Sequence, residues 1–296
     1  MTLKVAACQY PIDFLGDWDA YRVKLSGLVS MAVEQGAQLL VFPEYGSLEL
    51  TSLLPEPVRA DLQAQLAALQ PFLPDYLALH HELAEHHGVW LVAASFPERE
   101  GERYHNRAYL IGPEGQEGFQ DKLIMTRFER EDWGIAAGQG LKVFVTPFGK
   151  LAVNLCYDAE FPLLAYAQVA AGAEVILVPS CTDGWAGYHR VRIACQARAL
   201  ENQCFVVQSP TVGKAPWSPA VDVNIGKAGV FAPPERGISD SGVLAEGLAG
   251  DSGWVYADAD FAKLAEVRSA GQVLNWRDWP EQERHFAAGT ELVELG

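Results

Sequence analysis

The chain alternates short, almost continuous apolar runs with longer amphipathic stretches. Residues 3–9 (LKVAACQ) read as a β-strand, the segment from there to Glu34 has helical periodicity, and residues 36–44 (GAQLLVFPE) form a second strand. Another helical region leads to a third strand at 88–96 (GVWLVAASF). The second half repeats the series. LAVNLC (151–156) matches LKVAAC (3–8), cysteine on cysteine; GAEVILVPS (172–180) matches GAQLLVFPE, with Pro179 on Pro43; CFVVQSP (204–210) answers LVAASFP (91–97). Each half then continues into a further strand, AYLIGPEG (108–115) and AGVFAPPE (228–235). Two similar halves are the economical inference.

Apolar strands separated by amphipathic helices imply sheets covered by helices on at least one face. Two such half-layers would bury their bare sheet faces against each other. The expectation is therefore an α/β fold, a four-layer α-β-β-α sandwich with an internal pseudo-twofold repeat, in one domain over 1–296 with 266–296 as a C-terminal tail. The alternative is two separate doubly wound domains, but no Gly/Ser/Pro linker sits at the midpoint. Residues 112–122 (GPEGQEGFQDK) read instead as a hairpin turn and its return strand, around 117–121.

Composition narrows the function classes. At 296 residues, 49% hydrophobic and 20% charged, the chain has the make-up of an ordinary globular protein. Its formal charge of -16 argues against nucleic acid or an anionic membrane as partner. The amino terminus has no signal-peptide pattern, and the longest apolar stretches, such as Val89 to Phe96, are far too short to span a bilayer, so the expected location is cytoplasmic. Five cysteines (8, 156, 181, 195, 204) without a CxxC pair argue against a disulfide framework or a zinc site.

In open α/β sheets, residues just past the carboxyl ends of strands face the crevice where ligands bind. Three reactive groups fall at such places: Glu44 after LLVFP, Cys156 after LAVNL, and Lys122 after the return strand. A cysteine nucleophile needs a base or cation to favour the thiolate. Glu44 supplies a base and Lys122 a cation that lowers the thiol pKa and stabilises charge on a carbonyl oxygen. Singly, each has a bland role as helix cap, surface ion pair or core filler. A Cys/His scheme with His105 or His189 as base is the competing arrangement. Four of the remaining five histidines cluster at 80, 81, 86 and 87, on what reads as one face of a polar helix.

Taken together, VFPEY (41–45), DKLIMTRFE (121–129) and NLCYDAEFP (154–162) resemble the three catalytic motifs of the nitrilase superfamily, the carbon-nitrogen hydrolases, over roughly residues 3 to 265. The resemblance implies a Glu-Lys-Cys triad of Glu44, Lys122 and Cys156 on an α-β-β-α sandwich that usually forms homodimers or higher homo-oligomers. It further implies a second glutamate. Glu131, seven residues before Gly138, is the choice, with Glu129 as the alternative. The Tyr157 N–H is expected to join Lys122 at the oxyanion, and Thr182 and Asp183 are substrate-contact candidates. Tyr-Asp after the cysteine, where true nitrilases commonly carry Trp-Glu, resembles the amidase-like branches, and TRFERE (126–131) with GYHRVRIACQARALEN (187–202) is similar to a branch whose members are sometimes fused to an N-acetyltransferase domain.

The expected activity is that of an amidase on a small linear amide, proceeding through a Cys156 thioester without metal or cofactor. Nitrile or N-carbamoyl substrates, or a non-catalytic scaffold, are the alternatives. Trp254, Trp276 and Trp279 lie beyond the repeat, either in the core or at a dimer contact, and the Gly/Pro/Ser-rich region from Val212 to Gly250 is a candidate pocket loop.

Overall fold

The computed structural model describes residues 1–295. The first half runs β1 (Thr2–Pro11), α1 (Trp18–Glu34), β2 (Leu39–Val41), α2 (Glu56–Arg59), α3 (Leu62–Leu69), α4 (Leu73–His87), β3 (Trp90–Val92), β4 (Phe96–Glu100), β5 (Arg103–Ile111), β6 (Glu117–Asp121) and β7 (Ile135–Ala136). The second runs β8 (Phe144–Thr146), β9 (Gly149–Val153), α5 (Pro162–Ala170), β10 (Val175–Ser180), α6 (Trp185–Asn202), β11 (Phe205–Lys214), β12 (Val223–Asn224), β13 (Gly229–Phe231), β14 (Val243–Glu246), β15 (Gly253–Asp260), α7 (Phe261–Ala270), α8 (Asn275–Asp278) and α9 (Glu281–Ala287).

The repeat is a repeat of sheet topology. One sheet has the order β15-β1-β2-β3-β5-β6, the other β8-β9-β10-β11-β13-β14. In each, three parallel strands are flanked by an antiparallel strand on one side and an antiparallel hairpin on the other. The two sheets join at the carboxyl ends of β1 and β11, where Tyr10 and Pro11 pair with Thr211 and Val212.

Side chains alternate across a strand, and that alternation sorts the strands into layers. Leu3, Val5 and Ala7 of β1 join Leu39 and Val41 in a core shared with Leu151, Val153, Val175, Leu177, Phe205 and Val207 of the other sheet. The intervening Ala6, Cys8 and Tyr10 face α1 and α4, while Ala152, Ile176 and Val206 face α5 and α6. The result is the α-β-β-α sandwich. α1 buries Tyr21, Leu25, Leu28, Val29 and Ala32, one stripe at helical spacing, and starts at an Asp17 cap whose carboxylate accepts from Ala20 N at 2.8 Å.

One local expectation changes and another is resolved in part. The histidine-rich helix is not polar on one face throughout: His80 is buried against Tyr76 and Phe42, and burial lowers its pKa to about 4. Of the three late tryptophans, Trp254 belongs to β15, packing on Phe42 and donating its indole N–H to Leu28 O. Trp279 stacks on Tyr166 of α5, so α8 and α9 lie along the helical layer of the second half.

Candidate active site

Glu44 follows β2 through Pro43 and is held in place by its neighbours. The left-handed Tyr45 (φ 54°) donates its N–H to Ser95 Oγ, and Ser47 Oγ donates to Ser95 O. Lys122 follows β6; its N–H bonds to Asn106 O across the hairpin, and its carbonyl accepts from Gly138 N, closing the loop between them. Gly138 is required by that closure, because a Cβ there would stand 2.3 Å from the Asp121 Cβ. Cys156 follows β9 and opens a single 3-10 turn (Cys156–Glu160) in the left-handed conformation, φ 49°. Such a backbone is strained for a non-glycine residue, and strain of this kind concentrates at functional sites.

These three loops converge. Lys122 Nζ, 1% exposed, donates to Glu44 Oε1 at 2.8 Å and to Glu129 Oε2 at 2.6 Å. Glu129 also accepts from Tyr45 OH at 2.7 Å and from the Thr126 N–H and hydroxyl at 2.9 and 2.7 Å. The Cys156 thiol, 4% exposed, is 3.7 Å from Cys181 O at the end of β10. Asp158, two residues on, accepts from the backbone N–H groups of Leu123 and Ile124, so the cysteine turn and the lysine loop are tied to each other.

Electrostatics assign a resting state. Burial pushes the Glu44 carboxyl up to about 7 against the pull of Lys122, with the Glu129 charge adding to the rise. Burial opposes the charge of Lys122, but the two carboxylates outweigh it and hold its pKa well above normal. For Glu129, burial is overcome by Lys122 and Thr126, and its pKa falls. The Cys156 thiol rises well above its ordinary value because of burial and the Glu44 charge; Lys122 pulls it down but loses. The thiol is thus protonated at rest beside a carboxylate of near-neutral pKa, where the sequence implied a thiol acidified by lysine. Asp158 is raised to about 6 by burial.

The second glutamate is corrected. Glu131 is half-exposed and pairs with the exposed Arg127 at 2.7 Å, whereas Glu129 touches Lys122. The turn Glu129–Trp133 is π-type, and it buries its first and last residues while leaving the middle three outside. Tyr157, Thr182 and Asp183 all line the cavity above Cys156, of about 460 Å³. The Thr182 hydroxyl is committed to Ile225 O at 2.6 Å, where it anchors the loop carrying Pro219, Ala220 and Asp222 over the pocket. That loop lies within the Val212–Gly250 region. Arg127, Arg190 and Glu160, which sequence reasoning passed over, also face the cavity. Among the described residues no histidine bonds to Cys156; His105 is partly buried in β5 and His189 lies exposed on α6. All five cysteines are free. Among the described residues no group of three His, Cys, Asp or Glu side chains is arranged to hold a metal ion.

A buried carboxylate, ammonium and thiol thus lie at strand ends below a polar cleft. The chain belongs to the carbon-nitrogen hydrolase family, whose model matches residues 4–266. It is 34% identical over 277 residues to a probable hydrolase of Bacillus subtilis, YhcX; the match takes in 93% of this chain and 53% of that protein, so the chain spans about half the relative's length. It is 27% identical over 250 residues to an omega-amidase of Danio rerio, over 81% of this chain and 83% of that one. Among solved structures, yeast (Saccharomyces cerevisiae) Nit3, a member of branch 10 of the nitrilase superfamily, superposes with a TM-score of 0.70 at 20% identity, over 91% of this chain and 94% of that one. The fold is that of the superfamily.

Proposed function

We propose that this carbon-nitrogen hydrolase is an amidase that releases ammonia from a small linear amide through a thioester on Cys156. The observation that carries the reading is the buried Glu44–Lys122 ion pair beside Cys156, which itself lines the cavity. Glu44 accepts the Cys156 proton as the sulfur attacks the amide carbon, and Lys122 with the Tyr157 N–H receives the developing oxyanion. The tetrahedral intermediate collapses with loss of ammonia, which takes its extra proton from Glu44. Glu44 then deprotonates a water that attacks the thioester, releasing the acid and restoring the thiol. Glu129 holds the Lys122 ammonium in place throughout. Nitrile and N-carbamoyl compounds are the competing substrate classes.

The similarity to an omega-amidase supports a terminal amide as the bond cleaved. Arg127, Arg190, Glu160, Asp183 and Asp222 around the cavity favour a polar, charged substrate body over an apolar one. The experiment is intact mass spectrometry of wild type and Cys156→Ala after incubation with small amides, nitriles and N-carbamoyl compounds, with ammonia measured in parallel. An acyl adduct that requires Cys156, together with ammonia release, is expected. Turnover by Cys156→Ala refutes the mechanism, and silence across the panel moves weight to a non-catalytic scaffold.

A homodimer is part of the same proposal. Leu163 of α5 and Ile193 and Leu200 of α6 are exposed apolar side chains on the outer helical layer, the kind of surface that a second copy covers. Light scattering behind size-exclusion chromatography tests it, and a monomer at micromolar concentration counts against it. The proposed setting is the cytoplasm, where thiols such as Cys156 remain reduced; cell fractionation checks this.

A further inference from the structure

Asn106, in the middle of β5, is completely buried, and its side chain lies between the two carboxylates of the site. Nδ2 donates to Glu44 Oε1 at 2.9 Å and lies 3.4 Å from Glu129 Oε1. A carboxylate only accepts, so the NH₂ end of the amide is the end that faces them. Its backbone carbonyl meanwhile holds the Lys122 N–H at 2.9 Å. The other end of the amide is left without a partner: Asn106 Oδ1 is buried and bonds to nothing among the described residues. An unpaired buried oxygen is a cost that an apolar residue at this position would avoid, so its retention points to work done by the NH₂.

Both donors to Glu44, Lys122 Nζ and Asn106 Nδ2, land on the same oxygen, Oε1. Oε2 is thereby left as the oxygen that takes the Cys156 proton. We propose that Asn106 is a positioning residue of this site, one that fixes the rotation of the Glu44 carboxylate and keeps it ionised beside a second carboxylate. The proposal rests on Glu44 acting as base to Cys156. It adds a fourth residue, outside the Glu-Lys-Cys set and its second glutamate, on which that base depends.

The sign of the effect follows from the bond. A hydrogen bond donated to the charged form favours that form, so its loss raises the pKa of Glu44 above its value of about 7. The test needs no amide substrate. Carboxymethylation of Cys156 by iodoacetate, which carries no amide, is followed by intact mass from about pH 5 to 9, with labelling of the other four cysteines taken from Cys156→Ala. In the wild type the rate climbs through an acid limb near 7. In Asn106→Ala the limb moves up by about one pH unit, which slows labelling about tenfold at pH 6, while thermal melting remains a single transition. Asn106→Ser keeps a shorter donor and falls between the two; it also serves as the reporter should the alanine variant not fold. A limb that coincides with the wild type, or moves down, overturns the proposal. Since only thiol activation is read, the result stands apart from the substrate panel that tests the amidase reading.

Discussion

Glu129 and Glu131 stand two residues apart, and exchanging each in turn for glutamine separates a carboxylate that holds the lysine from one that only decorates the surface. Lys122 Nζ and Glu129 Oε2 are 2.6 Å apart, both almost fully buried. At an effective dielectric of about 20, unit charges at that distance attract by about 6 kcal/mol. Neutralising Glu129 also removes part of the burial cost of the cluster, and Lys122 keeps Glu44, so the net loss falls at the lower end of the range for a broken buried pair, about 3 kcal/mol. For a protein of this size that corresponds to a fall in Tm of about 5 °C. Glu131 pairs with Arg127 where both are largely in solvent, and such a pair is worth no more than about 0.5 kcal/mol. Calorimetry of Glu129→Gln and Glu131→Gln reads the difference. Because the Glu129 pKa is lowered in the fold, its contribution is present above its ordinary 4.5 and fades as pH falls through the folded value, so the gap between wild type and Glu129→Gln narrows in acid. Activity on whichever amide the panel identifies drops by about 10²-fold for Glu129→Gln through the misplaced ammonium. The acid limb of Cys156 alkylation also moves down, since the Glu129 charge is among the causes that raise Glu44. Equal stability and equal activity of the two variants, or greater damage from Glu131→Gln, refutes the assignment.

Other outcomes follow from the same structure. Asp158, raised from 3.8 to about 6 by burial, contributes stability that is complete below 3.8 and lost as pH rises to about 6, on the order of 3 kcal/mol. Asp158→Asn flattens the pH dependence of Tm across that window, and a slope equal to wild type contradicts the account. Cys156→Gly is more stable than Cys156→Ala by about 1 kcal/mol in urea melts, because only glycine adopts φ 49° without strain, although both are inactive. Leu177→Ala, at the centre of the core between the two sheets, lowers stability by about 2 to 5 kcal/mol in the same melts; a change below about 1 kcal/mol refutes its placement there.

The layers were legible in the sequence because each half writes its strands as short apolar runs of similar order, and because hairpin chemistry marks 112–121. The strand ends carrying Glu44, Lys122 and Cys156 followed from those runs. What the chain order hid was the direction of side chains in irregular segments and across strand pairs. Counting back from Gly138 measures distance along a loop, and it selects Glu131; which carboxylate turns inward is decided by the face of the turn. Glu129 precedes Trp133 by four, the spacing at which two helical side chains share a face, and the buried tryptophan was the available signal. Asn106 gave no such signal, since it lies in the polar stretch ahead of the apolar run that starts at Ala108, outside the strand the sequence marks. It meets Lys122 only because the β5–β6 register brings them side by side, and Glu44 only because β2 and β5 flank β3 in the same sheet. The net direction of the Cys156 pKa was hidden for a related reason, although Lys122 does pull it down. Pairing a thiol with a lysine in sequence gives the sign of one charge, whereas in the fold Glu129 and Glu44 both claim that ammonium, and burial with the Glu44 charge sets the thiol's resting proton. A site held in this way keeps its nucleophile neutral until a substrate carbonyl offers the negative charge somewhere to go, which is why its reactivity should follow the titration of Glu44 and not that of an acidified cysteine.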